Sequence, residues 1–273
     1  MSLCRIIARP TPSLPEFSLA GKTYVVTGGA RGLGLTQAEA ILEAGGRVYA
    51  LDMLQQPSPD FERIAARAKS ELGTYLEYIP SDVRETDVLN GTMEHIVRKE
   101  GRLDGLIAAA GIQQETPALE YTAEDANKML ATNVTGVFMS AQAVARQLVK
   151  LGTGGSIVLI ASMSGTIANK GLICPAYNAS KAAVVQLGRN LACEWGQHGI
   201  RVNTISPGYI VTEMVEALFR THPERRAEWA TQNPLGRLSS PREFRGAAVF
   251  LLSDASSFMT GSDLIIDGGH RAW

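Results

Sequence analysis

The stretch Thr23-Tyr24-Val25-Val26-Thr27-Gly28-Gly29-Ala30-Arg31-Gly32-Leu33-Gly34 runs from a β-branched, apolar strand pattern straight into glycines spaced Gly-x-x-x-Gly-x-Gly. An apolar helical pattern follows over 33–44. A strand that ends in glycines and opens a helix lets the backbone turn tightly and approach an anionic group, which then faces the helix N-terminus. A plain strand-to-helix turn would need fewer glycines. The position directly after Val25-Val26 instead predicts a dinucleotide pyrophosphate site built from Gly28, Arg31, Gly32, Leu33 and Gly34.

Outward from this turn, short β-branched runs alternate with longer helical patterns. Strands are expected at 23–27, 47–51, 75–80, 105–109, 156–160, 201–205 and 263–266, with helices over 33–44, 61–72, 85–99, 123–151, 177–197 and 242–252. That alternation predicts an α/β fold: a Rossmann-type, doubly wound, seven-stranded parallel sheet with helices on both faces. One catalytic domain is expected over 21–273. Residues 209–240 break the rhythm with helical pattern and no strand, as a lid beside the C-terminal edge of a sheet would.

The first twenty residues carry Arg5, Arg9, Pro10, Pro12 and Pro15 and no acidic residue before Glu16. A loose arm is expected there; a transit peptide is the alternative, which the prolines disfavour by breaking any long amphipathic helix. With 273 residues, 45% hydrophobic and 19% charged, the chain can bury a large core. Its net charge of −1 gives no electrostatic reason for a nucleic-acid or anionic-membrane partner, and no apolar run reaches membrane-spanning length. The cysteines Cys4, Cys174 and Cys193 are odd in number and lack metal-ligand spacing, and the histidines are scattered, so no metal is expected and a cytoplasmic location is.

Asp52 ends the second strand, where a carboxylate can accept both adenosine ribose hydroxyls and repel a 2′-phosphate. Arg31 argues the other way, since it could reach such a phosphate. The carboxylate outweighs one flexible cation, so the expected cofactor is NAD rather than NADP. Asp82, after the third strand, is a candidate for the adenine amino group or, equally, a helix N-cap. Tyr177 and Lys181 stand four residues apart on one helix face. A fixed cation beside a phenol favours the phenolate, and such a pair can exchange a proton with a substrate hydroxyl.

Taken together, Thr27-Gly28-x-x-x-Gly32-x-Gly34, Asp82, Ala110-Gly111, Asn133, Ser162, Tyr177-x-x-x-Lys181, Pro207-Gly208 and Asp267-Gly268-Gly269 resemble the short-chain dehydrogenase/reductase family over about residues 21–269. The resemblance implies hydride transfer between a nicotinamide and a secondary alcohol or ketone. It implies that Tyr177 is the general acid/base, that Lys181 holds the nicotinamide ribose and lowers the phenol's pKa, and that Ser162 donates a hydrogen bond to the reacting oxygen. Asn133 would bend its helix and bind a water leading to Lys181. Pro207, Gly208 and Thr212 would close over the carboxamide, and Val83, Ala110 and Gly111 would border the cofactor.

Three departures stand out: Ala108-Ala109-Ala110-Gly111 in place of a more polar run, Ala161 before Ser162, and a long segment from Ser162 to Tyr177 that makes Ser164 a rival for the serine role. The expected substrate wall includes Gln113, Ser162, Ser164, Tyr177 and Tyr209, with the 169–174 segment. The run 108–114 and the segment 163–174 are similar to sugar-alcohol members of the family, such as arabinitol dehydrogenases and sorbose or xylulose reductases. A secondary-metabolite ketone or alcohol and a 3-oxoacyl substrate are the alternatives, and a silent NAD-binding sensor is the alternative of another class. Family members usually assemble as tetramers, so a homotetramer or homodimer is expected.

Overall fold

The computed structural model describes residues 14–272. Most of the expected arm, with Cys4, lies outside the described residues. In chain order the elements are β1 (Thr23–Thr27), α1 (Gly32–Glu43), β2 (Arg47–Asp52), α2 (Pro59–Arg67), β3 (Leu76–Pro80), α3 (Thr86–Glu100), β4 (Gly105–Ala108), α4 (Ala123–Leu130), α5 (Val137–Leu151), β5 (Gly155–Ile160), α6 (Pro175–Trp195), β6 (Ile200–Pro207), α7 (Glu213–Thr221), α8 (Glu224–Ala230), α9 (Arg245–Leu252) and β7 (Asp263–Ile266).

The strands form one sheet in the order β3-β2-β1-β4-β5-β6-β7, every pair parallel. Strand order reverses between β1 and β4, and ligands of open α/β sheets bind at such a point, beyond the strands' C-terminal ends. Successive strand residues serve opposite faces. Val25, Leu106, Ile157 and Leu159 pack with α3, α5 and α6, while Tyr24, Val26, Ile107, Val158 and Ile205 pack with α1, α2 and α9. Burial on both faces accounts for the near-continuous apolar strands read in the sequence.

The single helix expected over 123–151 is interrupted by a π-helical turn at Ala131–Gly136. A second π turn, Ala68–Leu72, ends α2. Residues 209–240 hold α7 and α8, and the excursion is pinned at its neck: Val211 N–H donates to Ser239 O at 2.8 Å and Ser239 N–H to Tyr209 O at 3.1 Å.

Residues 14–20 are not loose. Pro15–Phe17 form a 3-10 turn, the Phe17 ring lies 6.2 Å from that of Phe250, and Leu19 is wholly buried with its N–H donating to Ala44 O at 2.9 Å. The sequence hid this because Leu14, Phe17, Leu19 and Ala20 are too short a run to show a helix or strand period. Leu19→Ala is expected to destabilise the protein by about 2–5 kcal/mol, whereas Leu14→Ala, at a half-exposed position, changes little. Denaturant midpoints at constant slope measure both.

Candidate active site

The C-terminal ends of β1, β4, β5 and β6 converge on one crevice. Gly28 has φ +68°, and a Cβ there would lie 2.7 Å from Ala110 N. A Cβ on Gly34 would meet Gly28 O at 2.2 Å, so only glycine lets the turn fold onto the first turn of α1. On the open side of Gly32 the nearest atom to such a Cβ is Thr212 Cγ2 at 4.0 Å. The glycine turn, the Ala110-Gly111 backbone and Thr212 therefore surround the same space at a helix N-terminus. A dinucleotide's pyrophosphate fits there, where backbone N–H groups and the helix dipole favour an anion.

Asp52 closes the adenosine end. Its Oδ2 accepts from Ala30 N–H at 3.2 Å and its Oδ1 from Leu54 N–H at 3.3 Å, which holds the carboxylate against the glycine turn. Arg31 is exposed at the N-cap of α1. Asp82 is paired with its neighbour Arg84. Both its oxygens are engaged by Arg84 Nε at 3.0 Å, Oδ1 also accepts Arg84 N–H at 2.9 Å, and the guanidinium holds the carboxyl below its usual range. The Val83 side chain is buried against Gly136 in the π turn, where a Cβ would meet it at 2.6 Å, so that side chain serves packing.

The catalytic end is built around Asn133. Its Oδ1 accepts Ile112 N–H at 2.8 Å, and its Nδ2 donates to Ile112 O at 2.9 Å and Ser180 Oγ at 3.0 Å. Ser180 Oγ in turn donates to Tyr177 O at 2.7 Å. Lys181 is buried, with Nζ donating to Ile160 O at 2.8 Å. A Cβ on Gly111 would lie 3.3 Å from Asn133 Oδ1 and 3.7 Å from Lys181 Nζ, so the amide and the ammonium share one pocket floor.

Burial pushes the Tyr177 phenol up to about 12, and a hydrogen bond with the Ser162 side chain pulls it back in part. The lysine Nζ stands 5.6 Å from the ring centroid and is itself lowered to about 8 by burial, which weakens it as a fixed cation. Ser162 sits at the end of β5 with extended backbone, its Oγ accepting Ser164 N–H at 3.2 Å. Its rival Ser164 thus touches Ser162 through the backbone, and the hydroxyl that meets Tyr177 is that of Ser162.

At the substrate end, Leu172, Cys174, Phe219 and Trp229 form a small core against which Tyr177 and Tyr209 pack. Tyr209 stacks on Trp229 at 4.5 Å, its hydroxyl donating to Gln232 Oε1 at 3.4 Å. Gln113 is exposed beside Cys174, hydrogen-bonded to a thiol that burial raises to about 11. Pro207 ends β6 and Gly208 lies against Asp267, whose Cα would be 2.7 Å from a Cβ there.

Several residues that build this end carried no signal in the sequence. Glu115 and Arg225 form a two-pronged ion pair at 2.8 and 3.0 Å that ties α8 to the segment after β4, across 110 residues of chain. Trp229 and Ser180 are likewise brought in only by the fold. Among the described residues no group of three or more His, Cys, Asp or Glu could hold a metal ion, and no helix is long and apolar enough to cross a membrane.

A profile described as Enoyl-(Acyl carrier protein) reductase matches residues 28–271. A short-chain type dehydrogenase/reductase from Mycobacterium marinum superposes with a TM-score of 0.85 at 38% identity, covering 95% of this chain and 98% of that one. The chain belongs to the short-chain dehydrogenase/reductase family. It is therefore an NAD(P)-dependent oxidoreductase acting on CH–OH groups. The D-arabinitol 2-dehydrogenase [ribulose-forming] of Candida tropicalis is 37% identical over 95% of this chain and 96% of its own length. The NADH-dependent L-xylulose reductase of Ambrosiozyma monospora is 33% identical over 96% and 100%.

The two shifts give opposite pH profiles. Alcohol oxidation needs the Tyr177 phenolate, so kcat/KM for oxidation is expected to climb from pH 6 to about 8, well below the raised phenol pKa, and to level off above that as Lys181 loses its charge. Ketone reduction uses the protonated phenol and should stay level until about pH 8, then fall as Lys181 loses its charge. Initial rates in both directions check this; oxidation that is flat over the range contradicts it.

Proposed function

We propose that this enzyme oxidises a secondary hydroxyl of a sugar alcohol to the ketose, with NAD as the acceptor, and catalyses the reverse reduction. The observation that carries the reading is the convergence of Tyr177, Ser162 and Lys181 on the crevice that the glycine turn and Asp52 begin. The names of relatives alignable over nearly the whole chain support the substrate class. The nicotinamide supplies the hydride acceptor. The chain's residues do the rest. Tyr177 Oη takes the hydroxyl proton in oxidation and returns it in reduction. Ser162 Oγ donates to the substrate oxygen and steadies the charge that develops there, a contribution on the order of 10²–10³ in rate for a preorganised donor. Lys181, anchored on the Ile160 carbonyl, holds positive charge behind the phenol and presents its remaining donors to the ribose.

The preference for NAD rests on Asp52, whose carboxylate is held by two backbone N–H groups and would meet a 2′-phosphate as an unpaired like charge. Residues 209–240 act as the lid in this proposal, with Glu115–Arg225 clamping α8 over the mouth. The proposal further takes the enzyme as a cytoplasmic homotetramer or homodimer. Half-exposed Leu130 and Val149 lie on the helices that would meet.

Absorbance at the nicotinamide band with NAD and a panel of pentitols and hexitols tests the reading. Turnover is expected with at least one polyol, and Tyr177→Phe should lower kcat by about 10²–10⁴ with NAD affinity kept. NADP should be the poorer acceptor, and Asp52→Ser should narrow that gap. No alcohol oxidation despite tight NAD binding contradicts the enzymatic reading; preference for NADP contradicts the Asp52 argument.

A further inference from the structure

Gly165 closes the short 3-10 turn Met163–Gly165 that follows Ser162. Its φ lies outside the left-handed region, so the backbone here is one that any residue can adopt. Space is what excludes a side chain. A Cβ on Gly165 would lie 2.8 Å from Lys181 C, and 2.9 Å from both Ala182 N and Lys181 O. All three are main-chain atoms inside α6, fixed by the helix, and they do not give way as the tip of a flexible side chain would. The turn therefore rests directly on the backbone of α6, one helical turn along from Tyr177.

The turn also moves as a unit with Ser162. Gly165 N–H donates to Ser162 O at 2.9 Å, and Ser164 N–H donates to Ser162 Oγ at 3.2 Å. On either side the segment is tied to the same helix: Lys181 Nζ donates to Ile160 O at 2.8 Å, and Asn178 Nδ2 to Ile167 O at 2.8 Å. With both flanks held, an added methyl cannot be taken up by swinging the segment about one end. Ordinary packing begins at 3.4 Å, so the methyl lifts the turn by at least half an ångström. That movement carries Ser162 Oγ away from the Tyr177 hydroxyl it meets. We infer that Gly165 is a positioning residue: its bare Cα seats the turn on Lys181 and Ala182 at the depth where the Ser162 hydroxyl and the Tyr177 phenol reach one substrate oxygen. Groups displaced by about 1 Å can cost 10²-fold in rate. The inference rests on the role proposed above for Ser162 and extends it to a residue with no side chain of its own.

A double-mutant cycle tests the assignment. kcat and KM for the best alcohol are measured in wild type, Gly165→Ala, Ser162→Ala and the double variant, with NAD affinity by fluorescence and the melting temperature alongside. Gly91→Ala on α3, where a Cβ would meet nothing within 4 Å, is the control and should match wild type in rate. Gly165→Ala should lose about 10- to 100-fold in kcat with NAD affinity kept. Ser162→Ala should lose about 10²–10³-fold. In the Ser162→Ala background, Gly165→Ala should cost less than about twofold more, because the hydroxyl it displaces is already gone. Gly165→Ala as active as wild type, or losing as much without the serine as with it, overturns the inference and leaves the Ser162 role standing. If Gly165→Ala does not fold, Thr166→Ala decides, since Thr166 Oγ1 braces the same turn by donating to Met163 O at 2.9 Å. A loss there that vanishes in the Ser162→Ala background supports the inference; no loss, or the same loss in both backgrounds, overturns it. Ser162→Ala as active as wild type, or no turnover of any alcohol with NAD bound, removes the underlying reading as well.

Discussion

Asn133 has no exposed surface, and its carboxamide joins three parts of the chain that sequence keeps apart. It takes up both backbone groups of Ile112, after β4, and donates to Ser180 on α6. Ser180 holds the Tyr177 carbonyl, and the next residue, Lys181, reaches the Ile160 carbonyl at the end of β5. The positions of the phenol and the ammonium relative to the β4 and β5 ends follow from that one side chain. Replacing it would strand both Ile112 groups, at about 1–3 kcal/mol each. The amide can reach across because the helix widens to a π turn at Ala131–Gly136, a distortion found mostly where function requires it.

Burial is the second theme. A phenol and an ammonium placed in the core of the crevice both shift toward their neutral forms, so neither is an efficient ion in the protein alone. Only the Ser162 hydroxyl opposes that shift at Tyr177. The same dry surroundings make a preorganised donor or charge count for more once substrate and cofactor displace solvent. Beside Tyr177 the pattern continues: Cys174, Asn178 and Asn169 are linked donor to acceptor.

What could be read from the chain divides along physical lines. β1 and its glycine turn were legible because period and glycine spacing are local, and all seven strands fell within a residue or two of their expected bounds. Tyr177, Lys181, Asn133 and Ser162 were legible as motif positions, and the fold brings them to one crevice. Their electrostatics were not, since burial depends on the whole packing. At Asp82 the pairing with Arg84, two residues on, is a contact that no fingerprint records. Leu19, Trp229 and the Glu115–Arg225 pair depend on contacts distant in sequence and left no periodic trace.

The central claim is that Tyr177 moves the hydroxyl proton while the substrate's carbon-bound hydrogen passes directly to the nicotinamide. The most direct measurement follows the label from a pentitol deuterated at its oxidised carbon into NADH by proton NMR. Direct transfer predicts one deuterium per turnover on one face of nicotinamide C4, with a primary isotope effect that grows in Tyr177→Phe as chemistry becomes limiting. Deuterium appearing in solvent, or on both faces of C4, would contradict it.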